Sequence, residues 1–168
     1  MSNIDSLVLK RANKEDITKE VEFIRQVPYL ENGFANFFYN VLQRSDEEIF
    51  NYVMSLSYSF DKIPIITYFL WQDNTIVGMF HLLAKLTEDQ KNKDGHISYT
   101  ILKEYRGKGY ASKGLALLIE EAKSIVPEDE LYMHTTINNP SSLKVMMNNN
   151  AYVTRNDEFG IFTRIKIK

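Results

Sequence analysis

The sequence predicts an α/β protein, a mixed and mostly antiparallel central sheet of about six to seven strands with helices on both faces. Three observations predict it. From Gly95 to Val126 an alternating strand, a glycine-bearing basic turn and an amphipathic helix follow one another. On either side of this unit, pairs of apolar runs joined by short polar turns read as β-hairpins. Helical periodicity is confined to separate stretches between the strands.

Ser6 to Leu9 is a short first strand. Asn13 with Asp16 three residues on reads as a helix cap, and Ile17, Val21 and Ile24 share one face before Pro28. Gly33 precedes Phe34, Phe37, Phe38, Val41 and Leu42, which predict a second amphipathic helix. Ser45-Asp46-Glu47-Glu48 is a capping box, and Ile49, Val53 and Leu56 mark the helix that it opens. The region is rich in rings: Phe34, Phe37, Phe38, Tyr39, Phe50, Tyr52, Tyr58 and Phe60. Most such rings are core.

Ile65 to Trp71 and Ile76 to Leu83 flank the turn Gln72-Asp73-Asn74-Thr75 as a hairpin, and Lys85 to Asp94 reads as a polar loop. Ile97, Tyr99 and Ile101 alternate with more polar neighbours, the period of a half-buried strand. From Ala111, the residues Leu115, Leu118, Ile119, Ala122, Ile125 and Val126 follow one helical face until Pro127 ends it. Leu131 to Ile137 is the next strand, so strand, helix and strand predict a local right-handed parallel crossover. Pro140 suits a first helical position, Leu143, Met146 and Met147 form that helix's apolar side, and Asn150 suits its left-handed end. Ala151 to Thr154 and Phe159 to Ile167 close the sheet as a second hairpin.

Composition narrows the function. The 168 residues predict one domain, 1–168, long enough for a real core. Twenty basic against twenty-two acidic residues leave a net charge of −2, which argues against a nucleic-acid binder with a broad basic face. The absence of cysteine excludes disulfides, thiolate metal sites and a cysteine nucleophile, and fits a cytoplasmic protein. No apolar run approaches the roughly 18 residues of a membrane span, and MSNIDSLVLK lacks a signal-peptide pattern. No metal ligand set, nucleic-acid partner or membrane partner is expected, and the chain reads as a monomer or homodimer.

The turn Arg106-Gly107-Lys108-Gly109-Tyr110-Ala111 is where chemistry is expected. A helix N-terminus leaves its first amides unpaired and carries about half a positive charge. Glycines let an anion approach those amides, so the turn suits a phosphate or diphosphate, with Arg106 and Lys108 as mobile positive charges. The next glycine is Gly114, so the spacing of a dinucleotide-binding Gly-x-Gly-x-x-Gly fails, and no P-loop run exists. A bare strand–helix connection needing positive φ is the plain alternative.

Arg106, Gly109 and Ala111 resemble the Gln/Arg-x-x-Gly-x-Gly/Ala signature of the GNAT superfamily of N-acetyltransferases. Ile76-Val77-Gly78, and Gly95-His96-Ile97 through Lys108-Gly109-Tyr110-Ala111, are similar to a bacterial branch called predicted acetyltransferases. The resemblance covers roughly Ile65 to Tyr152 and implies a GNAT fold, with acetyl-coenzyme A held by its pyrophosphate on this turn. It further implies a bulge in the preceding strand, whose amides near Ile101, Leu102 and Lys103 bind pantetheine and polarise the thioester. An amide aimed at a developing oxyanion contributes about 3 kcal/mol. Asn139-Pro140-Ser141-Ser142 resembles the family's Asn-x-x-Ser element, which implies that Asn139 reaches the pantetheine arm and Ser142 supports it. A helix cap alone also accounts for this run. The aromatic region corresponds to the wall of the acceptor site.

The acceptor implied is a primary amine of a small molecule or a peptide N-terminus. Holding such an amine neutral at pH 7 costs about 4.6 kcal/mol for a pKa near 10.4, so a base or a desolvating pocket is needed. His81, His96 and His134 all fall on central strands, and imidazole titrates in the useful range. His134 lies five residues before Asn139, where some members place a basic glutamate. The family's tyrosine acid falls here on Met146, which cannot donate a proton. Tyr99 and Tyr152 are substitutes, with water the default, and a thiolate leaving group with pKa near 8.5 needs little help. An acetyl-coenzyme A-dependent N-acetyltransferase is therefore the leading reading. A non-catalytic acyl-coenzyme A sensor and a protein-interaction module are the alternatives.

Overall fold

Antiparallel pairing dominates the architecture. The computed structural model describes residues 6–58 and 61–168, so Phe60 lies outside the described residues. In chain order the elements are β1 (Leu7–Arg11), α1 (Ile17–Gln26), β2 (Leu30–Glu31), β3 (Phe34–Ala35), α2 (Asp46–Ser55) and β4 (Ser57–Tyr58). Then come β5 (Ile63–Gln72), β6 (Thr75–Leu83), α3 (Glu88–Lys91), β7 (Ile97–Ile101) and α4 (Tyr110–Ile125). The chain closes with β8 (Glu130–Thr135), α5 (Pro140–Met147), β9 (Tyr152–Asp157) and β10 (Gly160–Lys166). One sheet runs β1-β5-β6-β7 with β4 also on β5, a second runs β8-β10-β9, and β2 pairs β3.

Strand alternation sorts the core into two layers. On β5, Ile66, Tyr68 and Leu70 face the side covered by α4, while Phe69 and Trp71 face the side covered by α1 and α2. Phe80 and Leu82 of β6 join the first layer, and Met79 joins the second. Each side chain so buried contributes about 1.5–3 kcal/mol. A bulge at Val77, where Leu70 pairs Gly78 and Trp71 pairs Ile76, lets β6 keep both layers filled as the hairpin tightens. Helix α4 sits close on the sheet because Gly114 has no side chain. A Cβ there would lie 2.4 Å from Phe80 Cζ.

Several caps form as the sequence indicates. Ser45 Oγ accepts from the Glu48 amide and the Glu48 carboxylate accepts from the Ser45 amide. Asn150 has φ 62°. Asn13 instead forms a turn ahead of α1, its Oδ1 accepting from the amides of Glu15 and Asp16, and the helix starts after Asp16 without a side-chain cap. The segment after Gly33 departs from expectation. It forms β3 and a 3-10 turn at Tyr39–Val41 rather than one helix. Asn32 and Gly33, with φ 51° and 82°, turn β2 into β3, and Asn-Gly is the dipeptide that a two-residue hairpin turn prefers. Within the expected loop, Thr87 caps the short α3 through its own capping box with Gln90.

The predicted parallel pairing across α4 does not form. All ladders among the described residues are antiparallel, and β7 and β8 share none. Just before β7 the chain meets β8, where an isolated antiparallel bridge joins Gly95 and Met133, the His96 amide donates to Tyr132 O (2.7 Å) and the Tyr132 amide donates to His96 Nδ1 (3.0 Å). An imidazole nitrogen therefore takes the amide that a neighbouring carbonyl would take in a ladder, and the strands stay apart beyond it.

Candidate active site

The separation of β7 from β8 opens a cavity of about 1140 Å³. It runs from the turn before α4, past Tyr99 to Ile101 and the start of α5, to a wall of Phe34, Phe37 and Tyr52. That volume exceeds the roughly 300–1,000 Å³ of a pocket for one small ligand.

At one end, Gly107 and Gly109 have φ 74° and 80°, the left-handed region that glycine enters freely. Gly109 precedes α4 directly, and no side chain caps this helix, unlike α2, α3 and α5. A Cβ on Gly107 would meet nothing within 4 Å. The first helical amides thus stand open beside a roomy glycine turn, which fits a diphosphate. Tyr110 anchors the turn from below, buried and donating its hydroxyl to Gln72 Oε1. It offers only backbone to a ligand here. Ala111 follows on the cavity lining.

The basic residues behave differently from expectation. Arg106 is not mobile: its Nε donates to Ile101 O (2.8 Å), and its terminal nitrogens pair with both carboxylate oxygens of Glu31. That guanidinium, chiefly by hydrogen bonding and further by its charge, holds the Glu31 carboxyl below the usual carboxylate range against the opposing effect of burial. Lys108 lies over the Tyr105 ring, its Nζ 5.4 Å from the centroid.

Strand β7 pairs β6 in unbroken register from Ile97 to Ile101, so the expected bulge is absent from it; the sheet's irregularity is on β6. An edge strand exposes alternate peptide groups without a bulge. Leu83 N–H bonds to His96 O and Leu102 N–H to Val77 O, so the even-numbered residues face β6. Ile97, Tyr99 and Ile101 then turn their amides and carbonyls toward the gap. Leu102 buries its side chain in the α1–α2 layer, and Lys103 begins the 3-10 turn that follows.

Asn139 Oδ1 accepts from the Ser142 amide (3.2 Å), capping α5, while its Nδ2 donates to Asn32 O (2.9 Å). Its side chain is thus engaged with the β2–β3 turn. Ser142 Oγ lies 3.1 Å from the Tyr99 hydroxyl, and Tyr99 stacks on Phe80. Burial pushes the Tyr99 phenol up, offset in part by the Ser142 bond, so it remains a proton donor at neutral pH. Tyr152 is not on the cavity lining, and its hydroxyl donates to Glu130. Met146 is buried, with the Thr163 hydroxyl 3.3 Å from its Sδ.

The three histidines have distinct surroundings. His96 is buried and engaged at both nitrogens, Nδ1 with the Tyr132 amide and Nε2 with Glu128 Oε2 (3.2 Å), and burial lowers its pKa. Neither nitrogen is open to a substrate, so His96 does not fit the role of base. His134 lines the cavity and donates Nε2–H to Phe159 O (2.9 Å), which leaves Nδ1 as its basic nitrogen. His81 is fully buried, and burial alone pushes its pKa down to about 3.

A cleft between diverging strands, with an uncapped helix N-terminus at its mouth, is an arrangement suited to a phosphate-bearing ligand. A family profile described as Acetyltransferase (GNAT) family matches residues 29–148, and the chain belongs to that family. Among solved structures it resembles the acetyltransferase of GNAT family from Streptococcus pneumoniae, at 18% identity and TM-score 0.65 over 96% of this chain and 99% of that one. It also resembles an N-acetyltransferase from Staphylococcus aureus Mu50, at 16% identity and TM-score 0.58 over 96% and 99%. A third is spermidine N-acetyltransferase from Vibrio cholerae in complex with CoA and spermine, at 15% identity and TM-score 0.57 over 95% and 94%. No curated protein matches the sequence significantly. Among the described residues, no helix is long and apolar enough to cross a membrane.

Glu31 and Asn32 line the cavity without having been given a role from the sequence, and His81, one of the three candidate imidazoles, lines it as well. The Asn32-Gly33 pair was the available signal for the first two. Nothing in the sequence marks Glu31 as the partner of a residue seventy-five positions away.

Proposed function

We propose that this protein transfers an acetyl group from acetyl-coenzyme A to the primary amine of a small acceptor. The observation that carries the reading is the uncapped, glycine-led N-terminus of α4 at the mouth of the β7–β8 gap. Gly107 to Ala111 would hold the diphosphate through backbone amides, and the outward peptide groups of Tyr99 with the Ile101 amide would hold the pantetheine arm, the Ile101 carbonyl being taken by Arg106. When bound, acetyl-coenzyme A supplies the thioester whose carbonyl carbon the amine attacks.

The chain's own contribution is placement, polarisation and proton handling. Amides at the edge of β7 stabilise charge developing on the carbonyl oxygen. His134 Nδ1 takes the proton that the attacking nitrogen loses, while its Nε2–H stays on Phe159 O. Tyr99, oriented by Ser142, donates a proton to the departing sulfur. Asn139 fixes the start of α5 and so the position of Ser142.

Calorimetric titration with acetyl-coenzyme A, followed by mass spectrometry of an amine library incubated with protein and coenzyme, tests the reading. Saturable binding and at least one coenzyme-dependent acetylated product are expected. Binding with no product from any amine would reduce the protein to a sensor, and no binding would overturn the assignment of the α4 turn.

A further inference from the structure

The acceptor end of the cavity has a composition that bears on what it takes. Phe34, Phe37, Tyr52 and Leu83 line it, with His81 set among the rings. The imidazole stacks on Phe34 (5.7 Å, 10°) and lies 5.1 Å from Phe37 and 5.6 Å from Phe38. Phe38 is completely buried, whereas Phe37 is 41% exposed and closes the cage from the solvent side.

Two polar facts stand out in this apolar wall. Thr67, His81 and Ser98 sit in register across β5, β6 and β7, a polar row beside the row of Phe69, Met79 and Thr100. His81 Nδ1 is 3.0 Å from Thr67 Oγ1, but its Nε2 is buried with no partner. A buried nitrogen left unpaired is costly and calls for an explanation. Carboxylates give the complementary information. Among the described residues, only Glu31 and Asp94 line the cavity, and Glu31 is paired with Arg106. A polycation would bring several ammonium groups into a space with few counter-charges, which is unfavourable.

We infer that the acceptor is a compact primary amine with an aromatic body and a hydroxyl group, its ring against Phe34 and Phe37 and its hydroxyl bonded to His81 Nε2. This rests on the acetyl-transfer reading above. A hydroxyl suits the site whichever tautomer Thr67 imposes, because it both donates and accepts. A site built to bond a hydroxyl discriminates strongly against the analogue that lacks it.

The probes are tyramine, 2-phenylethylamine and spermidine. Tyramine is expected to exceed 2-phenylethylamine at least tenfold in kcat/KM, and both to exceed spermidine. His81→Phe should bring the tyramine to 2-phenylethylamine ratio to about one while coenzyme affinity by calorimetry is unchanged. If that variant does not fold, Phe37→Ala, at an exposed ring, should raise KM for both aromatic amines about tenfold. A readout without turnover is the ¹⁵N resonance of His81 Nε2, expected to move on titration with millimolar tyramine. Spermidine as the better acceptor, a ratio that survives His81→Phe, a KM indifferent to Phe37→Ala, or an unmoved resonance would each overturn the inference. Loss of the wild-type protein's coenzyme binding would instead overturn the acetyl-transfer reading, leaving the ¹⁵N titration to decide the pocket.

Discussion

Glu31 and Arg106 tie the β2–β3 hairpin to the turn before α4, two carboxylate oxygens against two guanidinium nitrogens. The neighbouring residue Asn32 accepts from Asn139 at the start of α5. One short hairpin is therefore fastened to both walls of the cleft, and Arg106, a cation beside the proposed diphosphate site, is held by a carboxylate. A bound diphosphate and Glu31 would compete for Arg106.

Glu31→Gln should release the guanidinium and tighten coenzyme binding by about twofold to fivefold, the scale of one partly exposed ion pair. Arg106→Ala should weaken it. Calorimetry on both variants checks the competition, and a Glu31→Gln protein that binds more weakly would show that the hairpin organises the site.

Gly109→Glu places an L side chain at φ 80° and a negative charge at the mouth of α4. The left-handed conformation costs about 1–2 kcal/mol, which the fold should survive. Coenzyme affinity should fall by at least a hundredfold with far-ultraviolet circular dichroism unchanged. Unaltered affinity would remove the helix-mouth argument.

Tyr99→Phe removes the hydroxyl beside Ser142 without emptying the stack on Phe80. The expected loss in kcat is about ten- to a hundredfold, at or below the low end of general acid catalysis because a thiolate leaves readily. Coenzyme affinity should be retained. A kcat equal to wild type across the pH range would leave water as the proton source.

Glu20 is a buried carboxyl on α1 whose pKa burial raises to about 7, against the opposing bond from the Asn13 amide. A raised folded-state pKa means stability that is fully present below the unfolded value near 4.5 and lost as pH rises through about 7. Glu20→Gln should therefore raise Tm at pH 8 relative to wild type, and the advantage should shrink toward pH 5. His81 acts in the opposite sense. With its pKa down at about 3, it stays neutral in the fold and withdraws stability as pH falls from about 6.5 toward 3. Melting curves of wild type and Glu20→Gln from pH 4 to 8 test the Glu20 sign; a pH-independent difference between them would contradict the Glu20 assignment.

Local signals in the chain were legible wherever a few adjacent residues decide the outcome. The Ser45 capping box, the left-handed Asn150, the hairpin across Asp73-Asn74 and the glycine-led start of α4 each follow from steric or hydrogen-bonding rules acting over a turn or less. Phe34 to Leu42 shows where that logic fails. Its apolar spacing satisfies a helix, yet Asn32-Gly33 turns the chain back and Asn36 holds the following bend through the carbonyls of Ile24 and Val27.

By itself, then, the sequence determined the α/β class, the phosphate-type turn and the family to which the chain belongs, because these rest on periodicity and on residues contiguous in the chain. Tertiary structure alone decided that Arg106 is bound to Glu31, that His96 is closed off by Glu128 and Tyr132, and that His81 keeps an unpaired Nε2 among phenylalanines. Partnership and burial are set by which distant segments pack together, and no rule of local spacing carries that information.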